Sequence, residues 1–367
     1  MQMSRIVFLH TAGIHRPPER KSGTDLAVAD ILDELSGRWE TLPVEVPLVK
    51  TSAAQRHLRA LWEGAPPSVV DDLVGAPPVD SVVKPGDRIV LADDYAGLLL
   101  GRGWKPAILI RHNAIHHSYE HTPRTSFKSR IRLGYHTWLA RRFDRWTTKA
   151  ATAVLAPAGT TEIALKALVP GGNILPWHPR IPRLEGGPLH PVPGPVLRGV
   201  FFANFKYDPN FEALSFLCRV LGPALLGTST VIKVSGPYAI ERAAELEVPP
   251  NVEILGFQPD LVEFARGCDF GIVPIFHGEG ILLKTLTLMG YGMPIVTTSK
   301  ASSGTGLRDG LDAFVADDAG SMLAAIERLR DATVRDRLGA AAWRAAEPFS
   351  RTSGIVEAIE GLLSRAG

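Results

Sequence analysis

Residues 277–298 read HGEGILLKTLTLMGYGMPIVTT: a glycine-bearing loop, an apolar run of helical character, a Gly292-Met293-Pro294 turn and a short β-branched stretch. Loop, helix and strand in this order make a nucleotide-site layout. Gly278 and Gly280 let backbone N–H groups approach a phosphate. A helix beginning near Ile281 presents its positive end, and Lys284 adds a point charge one turn in.

The same alternation runs outward in both directions. Apolar or β-branched runs recur at Gly199 to Asn204, Val231 to Gly236, Val252 to Phe257, Phe270 to Ile275, Pro294 to Thr298 and Ala313 to Ala316. In the first half they recur at Arg5 to His10, Pro43 to Leu48, Arg88 to Asp93, Ala107 to Arg111, Ala151 to Ala156 and Gly172 to Trp177. Near-continuous hydrophobic strands separated by helical patterns indicate parallel sheets covered on both faces. The stretch IPRLEGGPLHPVPGPVLR, residues 181–198, has no periodicity and is rich in Pro and Gly, as expected of a linker. The expected organisation is an α/β chain with one Rossmann-like domain over 1–181, a linker over 182–198, a second over 199–346, and a last helix over 347–367 that crosses back to the first domain. Such domains face each other across a cleft, with ligands at the carboxyl ends of their strands.

Composition narrows the function class. The chain has 367 residues, 45% hydrophobic and 21% charged, with a net charge of +2, which fits two globular domains and asks for no polyanionic partner. No run approaches the 18 or so apolar residues of a membrane span. Cys218 and Cys268 have neither metal-site nor disulfide spacing, so a reducing cytoplasm is compatible. Nucleic acid is not an expected partner, since base-stacking motifs and strong net charge are both lacking.

The second half resembles the donor half of the retaining GT-B glycosyltransferases of the "group 1", family 4-like type, through VFFANFKYDPN, NVEILGF, CDFGIVPIFHGEG and GYGMPIVTTSKASSGTGL, in that order. The resemblance implies a metal-independent hexosyltransferase that takes a nucleotide-sugar as substrate and needs no cofactor. It implies that Glu279 binds hydroxyls of the transferred sugar and acts at the catalytic centre. Gly278, the Gly280 and Ile281 amides and Lys284 would hold the diphosphate, and the loop carrying Phe257 the base. In that family a second Glu, eight residues after the first, binds the ribose; here the position is Thr287. An Arg and a Lys that clamp the phosphates in many relatives correspond to Asn204 and Asn210, with Lys206 beside them as a substitute cation. These departures leave two readings open: an active transferase, and a binding module of the same fold that has lost transfer. Thr287 itself reads either as a packing residue or as a contact that favours a donor with fewer ribose hydroxyls, such as a deoxythymidine diphosphate sugar.

The first half would read a hydroxyl acceptor of a small molecule, glycan or lipid carrier. Gly23 opens the helix after the first strand, beyond a long basic loop. RHNAIHHSYEH follows the strand AILI, so Arg111, Asn113 and His116 are candidate acceptor contacts, and His112 is the candidate catalytic histidine near the sugar. Asp94 ends the preceding strand and either orients the acceptor or caps the helix starting near Tyr95. Residues 124–149 interleave basic residues with Tyr135, Trp138, Phe143 and Trp146. This is the pattern of a helix with snorkelling cations over an ordinary core, or of a peripheral contact with the cytoplasmic membrane face.

Overall fold

Val, Ile, Leu and Phe occupy both faces of the strand runs, so these strands are stable only where both faces are covered, and parallel pairing follows. The computed structural model describes residues 5–11, 13–17, 21, 23–46, 48–49, 52–69, 72–73, 76–121, 127–190, 194–278 and 280–365. They divide into two units. One holds the described residues of 1–15, 23–179 and 352–365, the other those of 16–22 and 180–351.

In chain order the strands are β1 (Ile6–His10), β2 (Thr41–Glu45), β3 (Leu48–Val49), β4 (Asp72–Leu73), β5 (Arg88–Ala92), β6 (Ala107–Ile110), β7 (Ala153–Pro157) and β8 (Ile174–Trp177) in the first unit. The second unit carries β9 (Leu197–Phe202), β10 (Thr230–Ser235), β11 (Val252–Ile254), β12 (Phe270–Val273), β13 (Ile295–Thr297) and β14 (Phe314–Val315). The first sheet has the order β2-β1-β5-β6-β7-β8 and the second β11-β10-β9-β12-β13-β14. All neighbours in both sheets pair in parallel. All twelve apolar runs of the sequence overlap these strands. The antiparallel pair β3-β4 is extra, and too short to have left a pattern.

The period of two is visible in the first core. Val7, Leu9, Ile89, Leu91 and Leu109 lie in one cluster with Leu139 and Phe143 of the Phe127–Ala150 helix. Ile6, Phe8, Val90, Ala92, Ile108 and Ile110 lie in another with Val28 and Ile31 of the Gly23–Ser36 helix. Ile355 and Ile359 of the last helix, Ile355–Arg365, complete this second cluster. Glu34 accepts from the Ser353 backbone N–H at 3.0 Å, which fastens that helix to the first unit.

Several boundaries differ from the reading of the sequence. The second strand is Thr41–Glu45, not Pro43 to Leu48, because β1 pairs with it residue for residue from Ile6 to His10. The helix expected from Ile281 begins at Leu283. Pro348 stands in the first turn of Glu347–Arg351, a new helix after Ala332–Ala345, where a missing N–H costs nothing. The Pro- and Gly-rich stretch is not a free linker in its first part. Leu184 N–H donates to Gly290 O at 3.1 Å and Leu189 N–H to Tyr291 O at 2.8 Å, and the Arg183 guanidinium lies 3.2 Å from the centre of the Trp343 ring. Prolines remove periodicity but leave enough donors to strap the chain onto the second unit.

Candidate active site

In the second sheet the strand order reverses between β9 and β12, and the loops leaving their carboxyl ends flank that switch point, where α/β sheets bind ligands. Backbone bonds lock the neighbouring loops together. Ala203 N–H donates to Ser235 O at 3.0 Å, Phe205 N–H to Pro237 O at 3.0 Å and Gly236 N–H to Gly256 O at 2.8 Å. Gly236 is required here: its φ is 137°, and a Cβ would lie 1.9 Å from Ala203 O. Phe257, next to Gly256, is exposed at this end of the sheet.

The loop after β12 carries the sequence candidates. Gly278 has φ 124° and Gly280 φ 70°, backbone that side chains rarely adopt. A Cβ on Gly278 would stand 3.4 Å from the Tyr207 hydroxyl, so the loop runs beside the β9 loop. Glu279 lies outside the described residues. Ile281 is buried and anchors the loop's far end. Thr298 fixes its start, donating its hydroxyl to Ile275 O and accepting from Ala301 N–H at 3.0 Å.

The helix Leu283–Gly290 has Leu282 at its N-cap, with no side-chain cap bond. Leucine has no side-chain oxygen to offer the first amides; Thr285 N–H donates to Leu282 O at 3.0 Å, and among the described residues the Leu283 and Lys284 amides are the ones left for an external acceptor. Lys284 sits at the second position and donates from Nζ to Asn210 Oδ1 at 2.9 Å. Asn210 in turn donates to Asn204 O at 2.7 Å, and Asn204 Oδ1 accepts from Lys206 N–H at 3.1 Å. The two asparagines therefore hold the lysine rather than standing idle in place of cations. Burial pushes the Lys284 pKa down to about 8. Lys206 is exposed, its ammonium 5.7 Å from the Tyr238 ring centre. Thr287 lies one turn beyond Lys284 on the half-exposed strip of the helix, while Thr285, Leu286, Leu288 and Met289 face the core.

In the first unit the strand-end residues form a closed network. Arg111 is fully buried; it donates to Asp94 at 2.7 Å, Asp144 at 2.6 Å, Thr147 Oγ1 at 3.1 Å and Asn113 O at 3.1 Å. This corrects the acceptor role expected of Arg111, because its fork is consumed inside the fold. Asp94 stands at the N-cap of the Tyr95–Arg102 helix, but its side chain makes no cap bond: it accepts from Arg111 and, at 3.2 Å, from Asn113 Nδ2. Asp93 caps instead, accepting from Ala96 N–H at 3.0 Å and from Thr11. Burial raises the Asp93 pKa to about 6.

His116 is buried and meets Asp144 through its ring Nδ1 at 2.7 Å and its backbone N–H at 2.9 Å. Burial alone would raise the Asp144 pKa, but the Arg111 charge and the His116 bonds outweigh it and hold the carboxyl below its usual range. His112 differs from its neighbours. Its ring stands edge-on to Trp177 at 5.4 Å, burial depresses its pKa, and Nε2 is shielded with no partner among the described residues. A neutral imidazole with an unpaired nitrogen can exchange a hydrogen bond with a hydroxyl that reaches it. Gly23 begins its helix as read. Among the described residues no three His, Cys, Asp or Glu side chains gather to hold a metal.

Three residues beyond the sequence candidates shape the second unit's loops: Thr298, Tyr207 and Tyr238. Tyr238 carried a signal only the backbone reveals, a left-handed φ of 63° on a bulky residue.

Residues 197–331 match the model of the family described as "Glycosyl transferases group 1". No sequence among curated proteins matches the chain. Among solved structures it is similar to TarM of S. aureus, at 11% identity and a TM-score of 0.57 over 77% of this chain. The chain spans only 56% of that protein's length. It is similar to the sucrose-phosphate synthase of Thermosynechococcus elongatus, at 16% identity and a TM-score of 0.68, over 99% of this chain and 98% of the other. It is also similar to HepE of Anabaena, solved with UDP, at 16% identity and a TM-score of 0.63, over 98% and 100%.

Proposed function

We propose, from the match of residues 197–331 to the group 1 glycosyl transferases and the likeness of the whole chain to GT-B structures, that the protein transfers a sugar from a nucleoside diphosphate donor to a hydroxyl acceptor. The observation that carries this reading is the uncapped helix at Leu283, entered through Gly278 and Gly280 and flanked by the Lys284 ammonium. A departing nucleoside diphosphate gains negative charge. Amides, a helix N-terminus and a fixed cation meet that charge without a metal. HepE, solved with UDP and with UDP-glucose, supports a nucleotide-sugar as the donor class.

In this reading Glu279 holds hydroxyls of the transferred sugar, and the Phe257 loop borders the base. Lys206 is a second cation for the phosphates. On the acceptor side, Asp94, Asn113 and the unpaired Nε2 of His112, once uncovered, are the groups assigned to meet a hydroxyl. Transfer proceeds with retention, the leaving phosphate oxygen taking the acceptor proton on the face it departs from, so no separate general base is needed.

The test is donor turnover by Glu279→Gln with folding checked in parallel. Loss of at least about a hundredfold in donor cleavage with an unchanged melting temperature is expected. Unimpaired turnover would remove Glu279 from the reaction.

A further inference from the structure

We propose that the first unit rests on an anionic lipid surface through one face formed by two helices, Ala53–Glu63 and Phe127–Ala150. This inference stands apart from the donor chemistry of the second unit. The shorter helix is well formed: Ser52 and Gln55 cap its start reciprocally, and Gly64 ends it in left-handed backbone at φ 63°. Its outward face is apolar. Leu58 is 68% exposed and Trp62 91%, and Leu61 between them is exposed too, a spacing that puts all three on one side. A lone exposed leucine is ordinary; a nearly bare tryptophan flanked by two leucines asks for an apolar environment.

The longer helix continues this surface. Ile131 and Trp138, two turns apart, are both exposed. The two helices meet at Gly64, where a Cβ would lie 3.0 Å from Arg142 Nε, and the same guanidinium lies 6.0 Å from the Trp138 ring centre. Farther along, the His57 and His136 rings stand 5.9 Å apart.

Charge selects the occupant. The longer helix has seven basic residues against one acid, Asp144, and that acid is buried beneath Arg111. Arg130, Arg141, Arg142, Arg145 and Lys149 are exposed, with Arg141 also reaching Glu120 at 2.6 Å. Apolar side chains scattered among arginines do not make the charge-depleted centre of a protein interface. They suit a phase boundary, where Trp and Leu enter the acyl region and arginine stems reach up to phosphates. Nucleic acid would meet the arginines and leave Leu58, Leu61 and Ile131 wet.

The experiment is co-sedimentation of the full chain with phosphatidylcholine vesicles, with and without phosphatidylglycerol, at low and high salt. Binding to the phosphatidylglycerol vesicles, released by salt, with little binding to phosphatidylcholine alone, is expected. Leu58→Ser/Leu61→Ser/Trp62→Ser should lose at least about tenfold in vesicle affinity while its near-UV spectrum and melting temperature match the parent. Arg142→Gln/Arg145→Gln/Lys149→Gln, which leaves the apolar residues in place, should weaken binding to the anionic vesicles alone. No binding to either vesicle, equal binding to both, or full binding by the serine variant would overturn the proposal. So would a dimer of the parent chain that dissociates in the serine variant, since the face would then belong to a second copy. Donor turnover is measured separately, so failure here and failure of the transferase reading are distinguishable.

Discussion

Lys284 Nζ donates to Asn210 Oδ1 at 2.9 Å across 74 positions of sequence, and the lysine's pKa is pushed down to about 8 by burial. The charge that would meet a diphosphate is therefore present at neutral pH and lost on moderate alkalinisation. Nucleoside diphosphate affinity should fall as pH rises through about 8, since only the ammonium form pairs with phosphate. Stability of the unliganded protein should move the other way. A lysine whose folded pKa lies below its unfolded value of 10.5 contributes more stability as pH climbs from about 8 toward 10.5. Calorimetric titration between neutral and alkaline pH checks the first sign and urea unfolding of the unliganded protein over the same range the second, and in Lys284→Arg the alkaline loss of affinity should disappear.

Arg111 is a positioning residue of the first unit. Arg111→Met leaves Asp144 buried without its cation and should cost roughly 3–5 kcal/mol in urea unfolding. If Arg111 instead touched the acceptor, the same variant would raise the acceptor KM at nearly unchanged stability.

Gly236→Ala should destabilise by at least about 2 kcal/mol, because the new methyl would meet Ala203 O where no side chain can yield. The loops after β9, β10 and β11 share the affected hydrogen bonds, so nucleotide affinity should fall together with the melting temperature.

Thr287→Glu places a carboxylate on the strip that carries Lys284. Tighter binding of uridine diphosphate relative to deoxythymidine diphosphate is expected, as the carboxylate can accept from ribose hydroxyls that a threonine meets only once. Equal shifts for the two nucleotides would make Thr287 a packing residue.

These residues also mark what a sequence can disclose. Both sheets were legible because hydrophobic strands with helices between them have few other ways to fold, and the loop at Gly278 announced itself by its glycines. Arg111 was misleading. A strand-end arginine looks like a site residue until the fold brings Asp94 and Asp144 to it from 17 and 33 positions away. The role of Asn210 was equally hidden, since an asparagine in a cation's place reads as a loss until Lys284 is seen bonded to it. In the Ala53–Glu63 helix Leu58, Leu61 and Trp62 have the spacing of a core-facing stripe, so only the fold shows that they face outward.

The most direct measurement is calorimetric titration of uridine and deoxythymidine diphosphates into the parent protein and Lys284→Ala, in buffer with a metal chelator. Binding by the parent without metal, weakened by roughly 1.5–3 kcal/mol in Lys284→Ala, is the predicted result. No binding of either nucleotide by the parent, or equal affinity in the variant, would contradict the assignment of the diphosphate to the Gly278–Lys284 segment.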